Sequence, residues 1–194
     1  LFRLASVSKT QTSIAIMTLV ERGKLKLSDR LFGKGGIFET EIGTEGLVAN
    51  ADQVTIKHLL EHTSGWSGEH IFTESGSLSG SDVLKRMKYV VHNIPMTHPL
   101  GTKYDYYNMG FGLLGCVIEK ISGMDYEEFM RKEIYAPLGV TDIWVGKDLV
   151  GRRKNECVYY SQDGKNGYGN NMYLIRALGG LIASTEELMK VVAG

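Results

Sequence analysis

Phe2-Arg3-Leu4-Ala5-Ser6-Val7-Ser8-Lys9 is the stretch from which the rest of the chain can be read. A helical pattern begins at Ser8 and runs to Arg22, with Ile14, Met17 and Val20 as its apolar stripe and Gly23 as its stop. Ser6 and Lys9, three positions apart, therefore share one face where that helix begins. A serine alcohol is a poor nucleophile until a neighbouring base takes its proton. A lysine amine can do so at neutral pH only where desolvation or nearby positive charge lowers its pKa. The helix N-terminus adds unpaired backbone N–H groups that favour negative charge. Taken alone, S-x-x-K is more often a serine cap beside a surface lysine.

Outward from this stretch, helix signals dominate. Thr55 is placed to cap a short helix through His62 that ends at Gly65. Ser81 is expected to cap a helix over 82–92, with Leu84, Met87 and Val91 on one face and Pro95 beyond its end. Asn108–Ser122 reads as a long apolar helix closed by Gly123. Asp125-Tyr126-Glu127-Glu128 is a capping-box pattern for a helix that should finish before Pro137, and Ser184-Thr185-Glu186-Glu187 repeats it. Strand candidates are Ile143–Val145, Cys157–Tyr160 and part of Leu178–Ala183. Glycine-rich loops fill 32–45 and 163–171.

Composition narrows the class. Of 194 residues, 43% are apolar and 23% charged, close to the globular average, which excludes a disordered chain, a coiled coil and a collagen. Lys+Arg and Asp+Glu balance at 22 each, so no whole-molecule field points to nucleic acid or an acidic membrane. The longest apolar run, Ile14–Val20, is broken by Thr18 and falls short of the ~18–20 residues of a membrane span. Cys116 and Cys157 cannot build a disulfide framework. Cys116, inside an apolar run, reads as a small core residue. Compartment and oligomeric state stay open.

A second chemical element is Tyr106-Tyr107-Asn108, after the turn Pro99–Thr102. A tyrosine hydroxyl relays protons, and an amide side chain both donates and accepts. Ser6-x-x-Lys9 followed a hundred residues later by Tyr106-x-Asn108 resembles the serine β-lactamase and penicillin-binding-protein superfamily. The closest resemblance is to its class C-like branch of esterases and D-aminopeptidases. Phe2–Lys9, Arg22–Asp29, His58-Leu59-Leu60-Glu61-His62-Thr63-Ser64-Gly65, Pro99–Asn108, Ala136-Pro137-Leu138-Gly139 and Gly179-Gly180-Leu181 carry it across nearly the whole chain.

The resemblance implies an α/β (α+β) β-lactamase/transpeptidase-like fold, of which this chain holds mostly the helical lobe and little of the antiparallel sheet. It implies one catalytic domain over 1–194, truncated at both ends. The N-terminal strands, the C-terminal strands and the third motif, K-x-G or H-x-G, are expected to lie outside. Lys34-Gly35-Gly36 matches that motif in the wrong order. Lys165-Asn166-Gly167 has the right order but precedes Gly179-Gly180-Leu181. The implied activity is a serine hydrolase forming an acyl-enzyme on an ester, β-lactam or D-amino-acid amide. Ser6 is the implied nucleophile, Lys9 the base, Tyr106 the proton relay and Asn108 the substrate-positioning residue. No cofactor or metal is implied, and the partner is a small-molecule or peptide substrate.

Three other patterns compete. His58-x-x-Glu61-His62 fits an inverted zinc peptidase, with both imidazoles at i, i+4 on one helical face. Gly110-x-Gly112-x-x-Gly115 fits a dinucleotide fingerprint but lacks the buried strand that must precede it, so glycines for close helix packing account for it better. A non-catalytic member of the same fold, serving as a scaffold or binding module, is the third. Because one oxyanion donor and one cleft wall are expected outside, the 194-residue chain assayed alone should turn over little ester. Full activity from it would contradict the missing-strand reading.

Overall fold

A computed structural model describes residues 1–72, 82–162, 164 and 167–194. Strand β1 (Phe2–Arg3) leads through a single 3-10 turn (Ala5–Val7) into helix α1 (Ser8–Glu21). After it come α2 (Glu39–Ile42), α3 (Ile56–Leu60), α4 (Val83–Asn93) and α5 (Asn108–Ser122). Helix α6 (Tyr126–Phe129), strands β2 (Trp144–Val145) and β3 (Leu181–Ala183) and helix α7 (Thr185–Ala193) complete the order. The strands form an antiparallel sheet in the order β1-β3-β2, with Phe2 opposite Ala183 and Val145 opposite Leu181. A small sheet at one side of a helical lobe is the fold that the sequence implied.

Helix α5 is the axis of the lobe. Every residue from Met109 to Ile118 is buried, as expected of a helix that is apolar all round. Helices α1, α3, α4 and α6 pack around it. Its glycines set the spacing: a Cβ at Gly112 would meet Val83 Cγ1 at 3.3 Å, and one at Gly115 would meet Ala177 Cβ at 2.6 Å. Arg176, next to that alanine, holds Glu119 of α5 through two hydrogen bonds of 3.0 and 2.6 Å. The fork–fork geometry fastens the 173–178 segment to the helix. Cys116 is buried in the same core, and burial pushes its thiol up to about 12.

Several elements differ from the sequence reading. The core face of α1 is Ala15, Ile16 and Leu19, while Met17 of the expected stripe is 46% exposed. Ser8, Lys9, Gln11 and Thr12 are buried as well, because the first turns of α1 meet backbone rather than apolar side chains. Helix α4 begins one residue late, capped by Asp82, whose carboxylate accepts the Lys85 N–H at 2.8 Å. Ser81, the expected cap, lies outside the described residues. Past α6 the chain does not stop before Pro137. It continues as a π-helical turn (Met130–Tyr135) and a 3-10 turn (Ala136–Leu138), whose first positions tolerate a residue without N–H.

Cys157–Tyr160 is not a strand. Tyr159 instead joins Tyr168 in a cation stack, with the Arg3 guanidinium 4.3 Å from the Tyr159 ring and 4.9 Å from the Tyr168 ring. Ser184 caps α7 as expected, but Glu187 does not reach back to it; its carboxylate accepts the N–H groups of Thr141 and Asp142.

Gly115→Ala tests the packing of α5. Helix propensity favours alanine by roughly 0.5–1 kcal/mol, but overpacking typically costs ~1–3 kcal/mol. Ala177 is fixed between Arg176 and the site, so the clash should win. Urea denaturation should show a lowered midpoint, and an unchanged or raised midpoint would contradict this account of α5.

Candidate active site

Ser6 owes its exposed position to a tight corner. Ala5 stands at φ +46, a left-handed conformation costly for a residue with a Cβ. Two hydrogen bonds flank it. Leu4 N–H donates to Leu181 O at 2.9 Å, and Val7 N–H donates to Leu4 O at 3.1 Å. The corner lifts Ser6 out of the strand and aims the next residues into α1.

One turn along, Lys9 is only 6% exposed. Its ammonium has three N–H donors, and all three are used: on Ser6 Oγ at 3.1 Å, Asn108 Oδ1 at 2.8 Å and Leu178 O at 2.7 Å. Ser6 Oγ in turn lies 2.6 Å from Tyr106 Oη. The Lys9 nitrogen also sits 4.8 Å from the centre of the Tyr106 ring. Burial pushes the Lys9 ammonium below its usual 10.5, against the hydrogen bond and charge of Tyr106 and the charge of Glu69, which hold it up. The four side chains named from the sequence thus form one hydrogen-bonded group, built from the start of α1, the loop before α5 and the first residue of α5.

Around this group are residues that the sequence did not single out. The 177–181 segment runs along the polar face of α1: Thr12 Oγ1 donates to Ala177 O at 2.6 Å, and Leu181 N–H donates to Ser8 Oγ at 3.2 Å. Tyr126 Oη closes on Thr12 Oγ1 at 2.7 Å. Glu69 receives Asn108 Nδ2 on both carboxylate oxygens, at 3.2 and 3.0 Å. Gly180 lets this segment pass close to Met172 and Arg176. A Cβ at Gly180 would lie 2.6 Å from Met172 O.

His62 backs the tyrosine. Its ring lies 4.6 Å from that of Tyr106 and 5.1 Å from that of Phe111, and its Nδ1 accepts the Tyr107 N–H at 3.0 Å. The ring proton is therefore on Nε2. Helix α3 ends at Leu60, and His62 follows it at φ +55, so His58 and His62 do not share a helical face. His58 Nδ1 instead takes part in the cap of α3, 3.2 Å from Thr55 N. Among the described residues no cluster of His, Cys, Asp and Glu is arranged to hold a metal. The zinc pattern is thus divided between a helix cap and an aromatic stack.

The remaining sequence candidates fall elsewhere. Lys34 is exposed in the turn before α2, and among the described residues it takes no part in the network. Lys165 and Asn166 lie outside the described residues. Trp66 is buried with its Nε1–H on Ile94 O at 2.8 Å. No helix among the described residues is long and apolar enough to cross a membrane.

Comparison with known proteins agrees with this fold. The family profile described as Beta-lactamase matches residues 1–194. An N-acetylmuramyl-L-alanine amidase of Bacillus subtilis is 30% identical over 142 residues, 71% of this chain and 32% of the amidase. Acyltransferase mokF of Monascus pilosus is 27% identical over 98% of this chain and 51% of its own. The octameric penicillin-binding protein homologue from Pyrococcus abyssi superimposes with a TM-score of 0.74 at 30% identity, over 98% of this chain and 43% of that one. The chain therefore spans about a third to a half of the length of these relatives.

The state of His62 has a consequence for stability. An unfolded imidazole protonates at 6.5, whereas burial, with a smaller push from the Lys9 charge, lowers the folded one to about 4. Between those values the unfolded chain binds more protons, so stability falls as pH is lowered from 6.5 towards 4. Denaturation midpoints measured near neutrality and at about pH 4.5 should differ more for the native protein than for His62→Gln. Equal losses in the two would contradict a buried, neutral His62.

Proposed function

Because this chain belongs to the beta-lactamase family, we propose that it carries the nucleophile and helical lobe of a serine hydrolase working through an acyl-enzyme. Residues 1–194 then belong to a single catalytic domain, completed by strands outside this chain. The observation that carries the reading is one cluster: Ser6 Oγ lies 2.6 Å from Tyr106 Oη and 3.1 Å from Lys9 Nζ. A hydroxyl within reach of two groups that exchange protons is the arrangement nucleophilic catalysis requires.

In the forward step Ser6 Oγ attacks the carbonyl carbon of an ester, β-lactam or D-amino-acid amide. Its proton passes to Lys9, directly or by way of Tyr106. Lys9 must be neutral to accept it, and burial favours that form. The tetrahedral oxyanion is held by the Ser6 N–H and a second N–H from a strand outside this chain, each such donor being worth ~2.7–4 kcal/mol. Tyr106 returns a proton to the leaving group, the acyl group stays on Ser6 Oγ, and Asn108 positions the substrate. Water, deprotonated through the same groups, then attacks the ester, and Ser6 regains its hydrogen. No cofactor enters this scheme.

Relatives named as an amidase and an acyltransferase support acyl transfer in general. Water as the acceptor is the simplest reading of an exposed serine. The competing reading, a non-catalytic scaffold of the same fold, is separated by one experiment on the complete protein carrying this chain. A serine-reactive fluorophosphonate should label it, and Ser6→Ala should abolish the label. Lys9→Ala and Tyr106→Phe should each slow acylation by roughly 10²–10⁴-fold, the usual worth of a positioned acid or base. Undiminished labelling of Ser6→Ala, or normal acylation in both other variants, would overturn the assignment.

A further inference from the structure

The mechanism leaves one ionisable group at the site without a task. Glu69 stands just before the 3-10 turn His70–Phe72 and is exposed. Its two oxygens receive Asn108 Nδ2, whose amide partner atom Oδ1 is taken by Lys9 at 2.8 Å. Asn108 is thus occupied at both ends of its amide. A neutral substrate amide that sought Nδ2 would have to compete with a carboxylate, the stronger acceptor.

The charges are distributed unevenly. The positive charge of the site, on Lys9, is buried and its three N–H groups are spent inside the protein. The negative charge faces solvent, and a carboxylate offers about four lone-pair sites, more than one amide consumes. Among the described residues, Glu69 is the carboxylate hydrogen-bonded into the Ser6–Lys9–Asn108 group. Two side chains, Lys9 and Asn108, separate it from the nucleophile along contacts of 3.1, 2.8 and 3.0 Å. A substrate positioned by Asn108, as proposed above, would lie beside the side chain that Glu69 holds.

We infer that Glu69 determines specificity, selecting acyl donors that carry an ammonium group within a few bonds of the scissile carbonyl over neutral or anionic ones. The inference rests on the acyl-enzyme reading above and adds the substrate's charge to it. An ammonium donates to the free lone pairs of Glu69 without breaking the Asn108 contact. An acyl carboxylate placed there is repelled.

Glycine p-nitrophenyl ester carries an ammonium on its α-carbon, its N-acetyl counterpart a neutral amide there, and its N-succinyl counterpart a neutral amide with a carboxylate a few bonds farther out. With the complete protein, and with hydrolysis by Ser6→Ala subtracted, kcat/KM should favour the ammonium ester over the N-acetyl ester by roughly fivefold, the upper scale of an exposed charge pair. Glu69→Gln should shrink that ratio to about twofold or less, and Glu69→Lys should turn the preference towards the N-succinyl ester. The ratio cancels any common effect of these variants on Lys9. A wild-type ratio near one, or a ratio that neither variant moves, overturns the inference and leaves the hydrolase reading standing. No Ser6-dependent hydrolysis of any of the three esters overturns both.

Discussion

A lysine ammonium removed from water requires acceptors for all its N–H groups, and three distant parts of this chain meet to provide them. Ser6 comes from the corner ahead of α1, Asn108 from the start of α5, and the Leu178 carbonyl from the segment entering β3. An unpaired buried charge costs several kcal/mol, so displacing any of the three exposes the fold to that cost. The same crowding that stabilises the ammonium with three acceptors also strips it of water, and the second effect lowers its pKa. Structure and chemistry thus share one residue.

From that point the rest of the architecture can be ordered. The Leu178 carbonyl is held by neighbours on both sides: Ala177 O accepts from Thr12, Arg176 grips Glu119, and Leu181 N–H and O are tied to Ser8 and Leu4. Glu119 Oε1 also accepts the Tyr126 N–H at 3.1 Å, and Tyr126 reaches back to Thr12. Helices α1, α5 and α6 are therefore cross-braced by polar contacts just beneath the site, while the apolar faces of α4 and α5 supply the bulk of the burial. The His62 stack supports Tyr106 from the opposite side.

How much of this was legible in the sequence depends on how local each signal is. The helix 108–122, apolar throughout and stopped by Gly123 in a left-handed conformation, is legible to the residue because a glycine stop acts over one turn. The burial of Ser8 and Thr12 on α1 has no local signal, since the partners that cover them lie more than 160 residues away. Tyr159 and Tyr160 read as part of a strand, but Arg3 takes the Tyr159 ring into a cation stack and Tyr160 is left exposed. At the site, Ser6, Lys9, Tyr106 and Asn108 were named from spacing and family resemblance. Leu178 could not be, because a backbone carbonyl leaves no mark in a sequence. Glu69 sits in a turn with no pattern, 39 positions from the amide it meets.

The most direct test of the account follows Lys9 itself. In a sample of the complete protein with isotope-labelled lysine side chains, the Lys9 signal, assigned by its loss in Lys9→Arg, should titrate at a pH below the ordinary 10.5. Exposed lysines serve as the internal reference. A Lys9 signal that titrates together with them would mean that the ammonium is not held away from water, and the arrangement built around it here would fall.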